Sequence, residues 1–170
     1  MKIQFETSDA NHEIAEYILR RQNGPGSFCH LCPTDKDGII KELERLFAKS
    51  DPRVLVIRDD FGVLQGVFNL FIIPEEHYIE TDWGFVTTPS VYDDLISHLH
   101  NTYPGYHLDA VVTKSNQTMF EAYRKNGLVY QEEQILMDLK EYTPKPAKAN
   151  IVHYSPEYEA SFRAIHDDEG

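Results

Sequence analysis

The sequence has few cysteines, few basic residues and no long apolar run, and each shortage excludes a class of protein. Two cysteines in 170 residues are too few for the disulfide framework of a small secreted scaffold. Sixteen Lys and Arg face 28 Asp and Glu, and the formal net charge of −12 repels the phosphates of nucleic acids and anionic lipids. No apolar run approaches the roughly 20 residues of a membrane span, and residues 1–6 lack a signal-peptide pattern. We therefore expect a cytoplasmic protein with no nucleic-acid and no membrane partner.

The residues that are present have the composition of a folded domain. The chain is 41% hydrophobic, 26% charged and 12% aromatic, which is typical of globular proteins. Its length allows one domain of about 100–150 residues and a short remainder. We predict a domain over residues 1–141, an extended linker over 142–149, where Pro and Lys recur, and a C-terminal extension over 150–170.

Hydrophobic periodicity predicts strands and helices in an irregular order. Two β-rich runs, 54–58 and 63–73, flank a short loop containing Gly62 and predict an antiparallel hairpin. Helices are predicted at 90–103 and 116–126, on either side of a short fifth strand, and a sixth strand at 128–139. The order β-α-α-β-β-β-α-β-α-β combines a hairpin with crossover connections. This order predicts an α+β fold with a central mixed sheet flanked by helices.

The most specific pattern lies near the predicted last helix. Tyr123 follows Asn116 by seven residues, and Gly127 follows Tyr123 by four. This spacing, together with the element order over residues 1–141, resembles the GNAT superfamily of acyl-CoA N-acyltransferases, although Leu128 stands where that family usually has Phe. The resemblance implies a GNAT-like fold that transfers an acetyl group from acetyl-CoA to a primary amine of a small molecule or a peptide.

The same resemblance bears on the C-terminal extension. Residues 150–170 resemble the first strand and helix of a second GNAT unit, as in family members built as tandem pairs. We therefore expect the chain to be the first half of a larger protein, with a second GNAT-like domain or a homo-oligomer as its protein partner.

The resemblance also assigns roles to individual residues. Tyr123 matches the family's tyrosine, which protonates the leaving thiolate. Asn116 and the backbone of Phe85 and Val86 match positions that contact the cofactor. The alternative for Tyr123 is a purely structural one, because an aromatic residue at helical spacing is usually part of a core.

The amine must lose a proton, and the family often places a carboxylate on the fourth strand for this purpose. Glu80 and Asp82 are the candidates for this base, acting directly or through a water. A solvated strand face is the alternative for both carboxylates. Strand parity predicts that one face carries Glu80, Asp82 and Val86 and that the other carries Thr81, Trp83 and Phe85.

One family feature is missing, namely the sequence that holds the CoA pyrophosphate. The family carries Arg or Gln, two residues, Gly, one residue, and Gly or Ala at the start of the third helix, where backbone N–H groups bind phosphate. Residues 86–95 contain neither glycine nor arginine. Ser90 and Asp93 predict a capping box instead, and Asp94 adds negative charge to the first turn.

This missing sequence predicts that binding of acetyl-CoA is weakened or lost. It also keeps a second function open, a non-catalytic GNAT-like domain that acts as a structural or substrate-presenting partner of an active domain.

Cys29 and Cys32 have the CxxC spacing of zinc sites and redox pairs. No second pair of ligands at finger spacing accompanies them, so we predict no metal site. In the GNAT interpretation their loop lies on the acceptor side, where Phe28 and His30 would line a substrate pocket. A plain connecting loop is the alternative.

Overall fold

A computed structural model describes residues 1–6, 11–129 and 156 of the chain. Residues 1–129 belong to the first of two units into which the chain divides, Met1–Tyr130 and Gln131–Gly170. The predicted domain end at 141, the linker, the extension and most of the predicted sixth strand lie outside the described residues and stay predictions. The described elements, in chain order, are β1 (Lys2–Phe5), α1 (Asn11–Gln22), α2 (Lys36–Phe47), β2 (Val54–Arg58), β3 (Leu64–Ile73), a 3-10 turn (Pro74–Glu76), β4 (Tyr78–Val86), α3 (Ser90–Thr102), β5 (His107–Ala110) and α4 (Gln117–Lys125).

The helix ends follow from local hydrogen bonds. The Asp35 carboxylate accepts a bond of 2.8 Å from the N–H of Gly38 and so caps α2. The side chain of Asn116 accepts one of 3.0 Å from the N–H of Met119 and caps α4. Gly127, with φ of +90°, follows the end of α4, where the left-handed conformation favours glycine. Within the described residues, no helix has both the length and the apolarity needed to cross a membrane.

The five described strands form one mixed sheet in the order β1-β2-β3-β4-β5. The first three pairings are antiparallel, and β5 joins β4 in parallel. The hairpin of β2 and β3 is confirmed, with Val56 opposite Val67 and Gly62 at positive φ in its turn. The predicted mixed sheet is thus confirmed over the described residues.

Helices cover both faces of the sheet. On one face, α1 and α2 bury a core that includes Ile14, Leu43 and Trp83. On the other face, α3 and α4 pack over a second core that includes Phe68 and Leu95. Each fully buried aliphatic or aromatic side chain of this kind contributes about 1.5–3 kcal/mol by leaving water. These two cores fix the position of β4, which lies between them.

The predicted parity of β4 is wrong beyond its midpoint because the strand contains a bulge. Asn69 of β3 pairs with Trp83, whereas the next residue of β3 pairs with Thr81, so Asp82 is the extra residue. Ile79 therefore packs in the α3/α4 core, whereas Trp83 lies in the α1/α2 core although it is four residues further along the strand. Val86 likewise packs against the α3/α4 core. Val86 thus does not share a face with Asp82 as predicted.

Candidate functional site

The second half of β4 has a strand on only one side. The pairing of β4 with β5 runs from Tyr78 to Thr81, and a bond of 3.0 Å from the N–H of Val111 to the Thr81 carbonyl follows it. The pairing with β3, by contrast, continues as far as Val86. The N–H and C=O groups of successive residues in a strand point alternately to its two edges. On the edge of β4 that faces β5, these groups bond β5 in the first half of the strand and have no described partner strand in the second half. Among the described strands, none pairs with that edge from Asp82 onwards, so this half of the edge is open.

A cavity of about 150 Å³ lies beside this open half of β4. The three residues predicted to bind the cofactor, Phe85, Val86 and Asn116, are brought together in its lining. A complete drug-sized ligand fills about 300–1,000 Å³, so the cavity has room for only part of such a molecule. The predicted catalytic residues Tyr123, Glu80 and Asp82 do not line it.

Tyr123 combines core packing with a hydroxyl that packing does not explain. Its side chain is 3% exposed, and its ring meets the Tyr92 ring edge-on with centroids 5.4 Å apart. Among the described residues, its buried hydroxyl has no hydrogen-bond partner of ordinary geometry. The nearby Thr81 hydroxyl donates to the Trp83 carbonyl instead, at 3.4 Å. Buried polar groups are nearly always paired, so a buried hydroxyl with no partner among the described residues is unusual.

Burial raises the pKa of Tyr123 well above its ordinary value of 10.0, and the Thr81 hydroxyl offsets part of this effect. The phenol is therefore protonated at neutral pH and can donate, but not accept, a proton. The core interpretation and the proton-donor interpretation of Tyr123 both remain compatible with this geometry.

Tyr92 is a member of this region that local sequence does not reveal. Its hydroxyl donates a bond of 3.3 Å to the carbonyl of Gly84, on the open half of β4. It also lines the cavity, and its side chain is 2% exposed. In the sequence Tyr92 looks like one more apolar residue at helical spacing on α3, so no signal points to this role. Its hydroxyl satisfies a carbonyl that would otherwise face the opening.

The two candidate bases lie close together on β4. Asp82 accepts a bond of 3.1 Å from the Asn69 side-chain amide. Desolvation raises the pKa of Glu80, and repulsion from Asp82 and Asp109 raises it further. Both carboxylates are half-buried, so neither lies on a fully solvated face.

The predicted capping box at the start of α3 is wrong. Pro89 occupies the N-cap position and Ser90 lies inside the helix, with its hydroxyl 3.0 Å from that of Thr88. The Asp93 carboxylate turns towards the end of α4, where it accepts bonds of 2.7 Å from both the Lys125 ammonium and the Asn126 amide. These partners lower the pKa of Asp93, the Lys125 bond most of all. Asp93 is therefore not a bare negative charge at this helix terminus.

Three of the backbone donors near this terminus are used within the chain. The N–H of Thr87 bonds the Gln65 carbonyl at 2.8 Å. Those of Val91 and Tyr92 each bond the carbonyl three residues earlier, at 3.1 Å. Pro89 has no N–H to offer. The terminus thus presents fewer N–H groups than a phosphate-binding helix usually does.

The CxxC segment forms a tight turn held by Gln22. The Gln22 amide donates 2.7 Å bonds to the carbonyls of Cys29 and Cys32 and accepts one of 2.8 Å from the N–H of Cys29. Burial raises the pKa of both thiols. Within the described residues, no three His, Cys, Asp or Glu side chains converge as a metal site.

The thiol of Cys29 connects this turn to β4, because it donates to the Asp82 carbonyl at 3.5 Å. His30 connects it to the segment after β5, since its backbone N–H and its Nδ1 lie 3.1 and 2.9 Å from the Thr113 hydroxyl. Ser27 of the same loop lines the cavity, whereas Phe28 and His30 do not. The loop is thus bonded to β4 at Asp82 and to the segment that follows β5.

Several solved structures that superpose on this chain are described as acetyltransferases or possible acetyltransferases. A possible acetyltransferase from Clostridium difficile 630 superposes with a TM-score of 0.55 at 11% identity, covering 89% of this chain and 98% of the other. A variant of the spermidine N-acetyltransferase from Vibrio cholerae gives 0.55 at 13% identity, covering 78% and 82%. A GNAT-superfamily phosphinothricin acetyltransferase from Sinorhizobium meliloti, in complex with acetyl-CoA, gives 0.53 at 14%, covering 74% and 73%. The chain has the GNAT fold.

The likeness to GNAT proteins is one of structure, without support from sequence comparison. No protein-family model and no curated protein matches the sequence. At identities of 11–14%, the superpositions establish the GNAT fold, and chemistry has to be argued from the site itself.

Proposed function

We propose that this chain is a GNAT-type N-acetyltransferase that uses acetyl-CoA as the acetyl donor. The observation that carries the proposal is the open half of β4, which borders a cavity where Phe85, Val86 and Asn116 meet. An open strand edge can pair with an amide-containing chain such as the pantetheine arm. The strand edge at Phe85 and Val86 fits the pantetheine arm of acetyl-CoA. The start of α3 fits the pyrophosphate of acetyl-CoA poorly, because several of its N–H groups are bonded within the chain.

Each proposed catalytic residue has one task. Acetyl-CoA, when bound, supplies an acetyl thioester that an uncharged amine can attack. Tyr123 holds a proton on its hydroxyl and donates it to the departing thiolate. Glu80 accepts the proton of the ammonium, because its raised pKa makes it a stronger base than an ordinary glutamate. Asp82 either accepts this proton through a water or keeps the pKa of Glu80 raised by the repulsion between the two carboxylates.

The proposed acceptor is a small-molecule amine. The similar structures include a spermidine N-acetyltransferase and a phosphinothricin acetyltransferase, both of which are named for small-molecule amines. Glu80, Asp82 and Asp109 interact electrostatically on β4 and β5, and the chain as a whole carries a net charge of −12. Such a field attracts a cationic amine and raises its local concentration.

A non-catalytic GNAT-like domain is the second candidate, and two observations favour it. Three of the backbone N–H groups around the start of α3, those of Thr87, Val91 and Tyr92, are bonded within the chain, so fewer are left for pyrophosphate than at an ordinary phosphate-binding helix. The Tyr92 hydroxyl occupies the Gly84 carbonyl that a pantetheine amide would otherwise approach. In this case the domain would support, or present substrate to, an active partner domain.

Substitution of Tyr123 by Phe separates the two candidates. The purified chain would be mixed with acetyl-CoA and spermidine, and release of the CoA thiol would be followed. Loss of the general acid lowers kcat at least about 100-fold. The free energy of unfolding should not fall, because the variant removes a buried hydroxyl that has no partner among the described residues.

Tyr103→Phe is the matched control, because it removes a hydroxyl from a partly buried tyrosine at the end of α3. We expect its kcat to equal that of the wild type. Binding of acetyl-CoA with no thiol release for spermidine or other small amines would contradict the enzyme proposal and favour the second candidate. Equal rates for wild type and Tyr123→Phe would remove Tyr123 from the mechanism.

A further inference from the structure

We propose that Arg21, on α1, binds the phosphates of the acyl-CoA and so makes up for the backbone N–H groups at the start of α3 that are bonded within the chain. This inference rests on the proposed function, because it names the residue that holds the charged part of the same cofactor. It adds a binding residue that lies more than 60 positions away in sequence from the loop where the resemblance predicts phosphate binding.

The position of Arg21 is fixed by its neighbour Tyr17. The Arg21 guanidinium lies 5.6 Å from the centroid of the Tyr17 ring, in a cation–π contact. The Tyr17 hydroxyl in turn donates a bond of 2.7 Å to the Gln65 carbonyl and lies 3.1 Å from the Thr87 hydroxyl. Arg21 is thereby held over the end of β4, where it lines the cavity together with Thr87 and Thr88.

The cavity around Arg21 has the chemistry of an anion site. Besides the Tyr92 phenol, four side-chain hydroxyls line it, those of Ser27, Thr87, Thr88 and Thr118. The Thr87 hydroxyl donates to that of Tyr17, and the other three can donate a hydrogen bond to a phosphate oxygen. No aspartate or glutamate lines it, and Arg21 forms no ion pair with any carboxylate among residues 1–6 and 11–129.

The nearby acidic residue does not cancel this charge. Asp93 lies in the first turn of α3, but its carboxylate bonds Lys125 and Asn126 of α4 and its terminus. Within the described part of the chain, the guanidinium of Arg21 is therefore free to pair with a phosphate, for which its planar fork of donors is well suited.

The test is calorimetric titration of three variants and the wild type with acetyl-CoA, S-acetylpantetheine and inorganic pyrophosphate. S-acetylpantetheine carries the same thioester and pantetheine amides but no phosphate. Arg21→Gln removes the charge, Arg21→Lys keeps it without the fork, and Arg20→Gln removes a charge from the neighbouring, exposed position. We expect Arg21→Gln to weaken acetyl-CoA binding about tenfold, since one bond between charged groups is lost.

Three further results are expected. Arg21→Gln should leave the affinity for S-acetylpantetheine unchanged, Arg21→Lys should recover part of the acetyl-CoA affinity, and Arg20→Gln should match the wild type. The unfolding midpoint of Arg21→Gln should lie slightly below that of the wild type, because the substitution removes the cation–π contact with Tyr17 and a positive charge from the last turn of α1.

The outcomes separate this inference from the proposed function. If the wild type binds acetyl-CoA and Arg21→Gln binds it equally well, the inference is wrong and the proposed function stands. Equal weakening for acetyl-CoA and S-acetylpantetheine also overturns the inference. Arg21-dependent binding of pyrophosphate by a chain that never transfers acetyl groups supports the anion site and overturns the proposed function. If the wild type binds neither acetyl-CoA nor inorganic pyrophosphate, both the inference about Arg21 and the proposed function are wrong.

Discussion

The two halves of β4 differ in pairing and in charge. The first half, Tyr78 to Thr81, has strands on both sides, and Glu80 lies there close to Asp82 and Asp109. The second half pairs with one described strand only and borders a cavity lined by hydroxyls and Arg21. One strand thus carries negative charge towards one end and meets a positive charge at the other. The difference matches a reaction that brings a cationic amine and an anionic cofactor to the same strand.

The junction between these halves is the bulge at Asp82, where the CxxC turn is attached. Cys29 donates to the Asp82 carbonyl, and Gln22 holds Cys29 in place. The buried thiols act here as small apolar groups with a weak donor, because their raised pKa keeps them protonated. The turn therefore has a structural task, and disturbing it should disturb both halves of β4.

Gln22→Leu should have the largest effect on stability. The variant keeps most of the buried volume but leaves the N–H of Cys29 and the Cys32 carbonyl without their partner. Each unsatisfied buried group costs about 1–3 kcal/mol, so we expect a loss of about 3 kcal/mol in urea unfolding. The thiols should also react faster with a thiol reagent. Asn23→Leu, at the exposed neighbouring position, is the control, and equal losses in the two variants would refute this role of Gln22.

Gly84→Ala should have the next largest effect, because it adds a methyl group to the core beneath the open half of β4. A Cβ at Gly84 would overlap the Phe68 ring, which is fully buried and has no room to move. Overpacking of this kind costs about 1–3 kcal/mol, and we expect about 2 kcal/mol in thermal unfolding together with weaker acetyl-CoA binding.

Gly66→Ala provides the comparison on β3. Its Cβ would lie 3.0 Å from Phe68 and from Val91, which is tight but not an overlap. We expect a smaller loss, about 1 kcal/mol, and unchanged acetyl-CoA binding, because Gly66 does not line the cavity. A larger loss at Gly66 than at Gly84 would contradict the packing argument.

Local sequence patterns predicted the fold well, because helices and hairpins depend on neighbours in the chain. The β2–β3 hairpin and the helices around β5 follow from periodicity and turn residues close in sequence. The Asn116–Tyr123–Gly127 spacing also indicated the GNAT fold. The predicted capping box of α3 was wrong, because the Asp93 carboxylate bonds Lys125 and Asn126, which are distant in sequence.

The site was less predictable, because its chemistry depends on contacts between distant segments. Arg21 is held near the end of β4 by its contact with the Tyr17 ring, and Tyr92 bonds the Gly84 carbonyl of β4 from its position on α3. No pattern in the local sequence predicts either contact. The bulge at Asp82 reverses strand parity, and a single unpaired residue has no periodic signature. Asn116, Phe85 and Val86 became candidate cofactor-binding residues only because the resemblance named them.

The smallest expected effect concerns the pH dependence of stability at Glu80. Glu80 holds its proton more tightly in the folded chain than in the unfolded one, because desolvation and then Asp82 and Asp109 raise its pKa above 4.5. The folded state is therefore penalised as pH rises through the raised value, whereas below the unfolded pKa the penalty is absent. Glu80→Gln should stabilise the chain at pH 7 by a few tenths of a kcal/mol, since half-exposed charges are screened, and should have no such effect at pH 4. The measurement is urea unfolding at both pH values, with Glu75→Gln at an exposed position of the 3-10 turn as control. The positive charge of Arg53 acts in the opposite sense and lowers the pKa of Glu80. A variant that is less stable than the wild type at pH 7 would show that Glu80 gains more from Arg53 than it loses to its acidic neighbours, and it would refute the argument that negative charges repel one another at this end of β4.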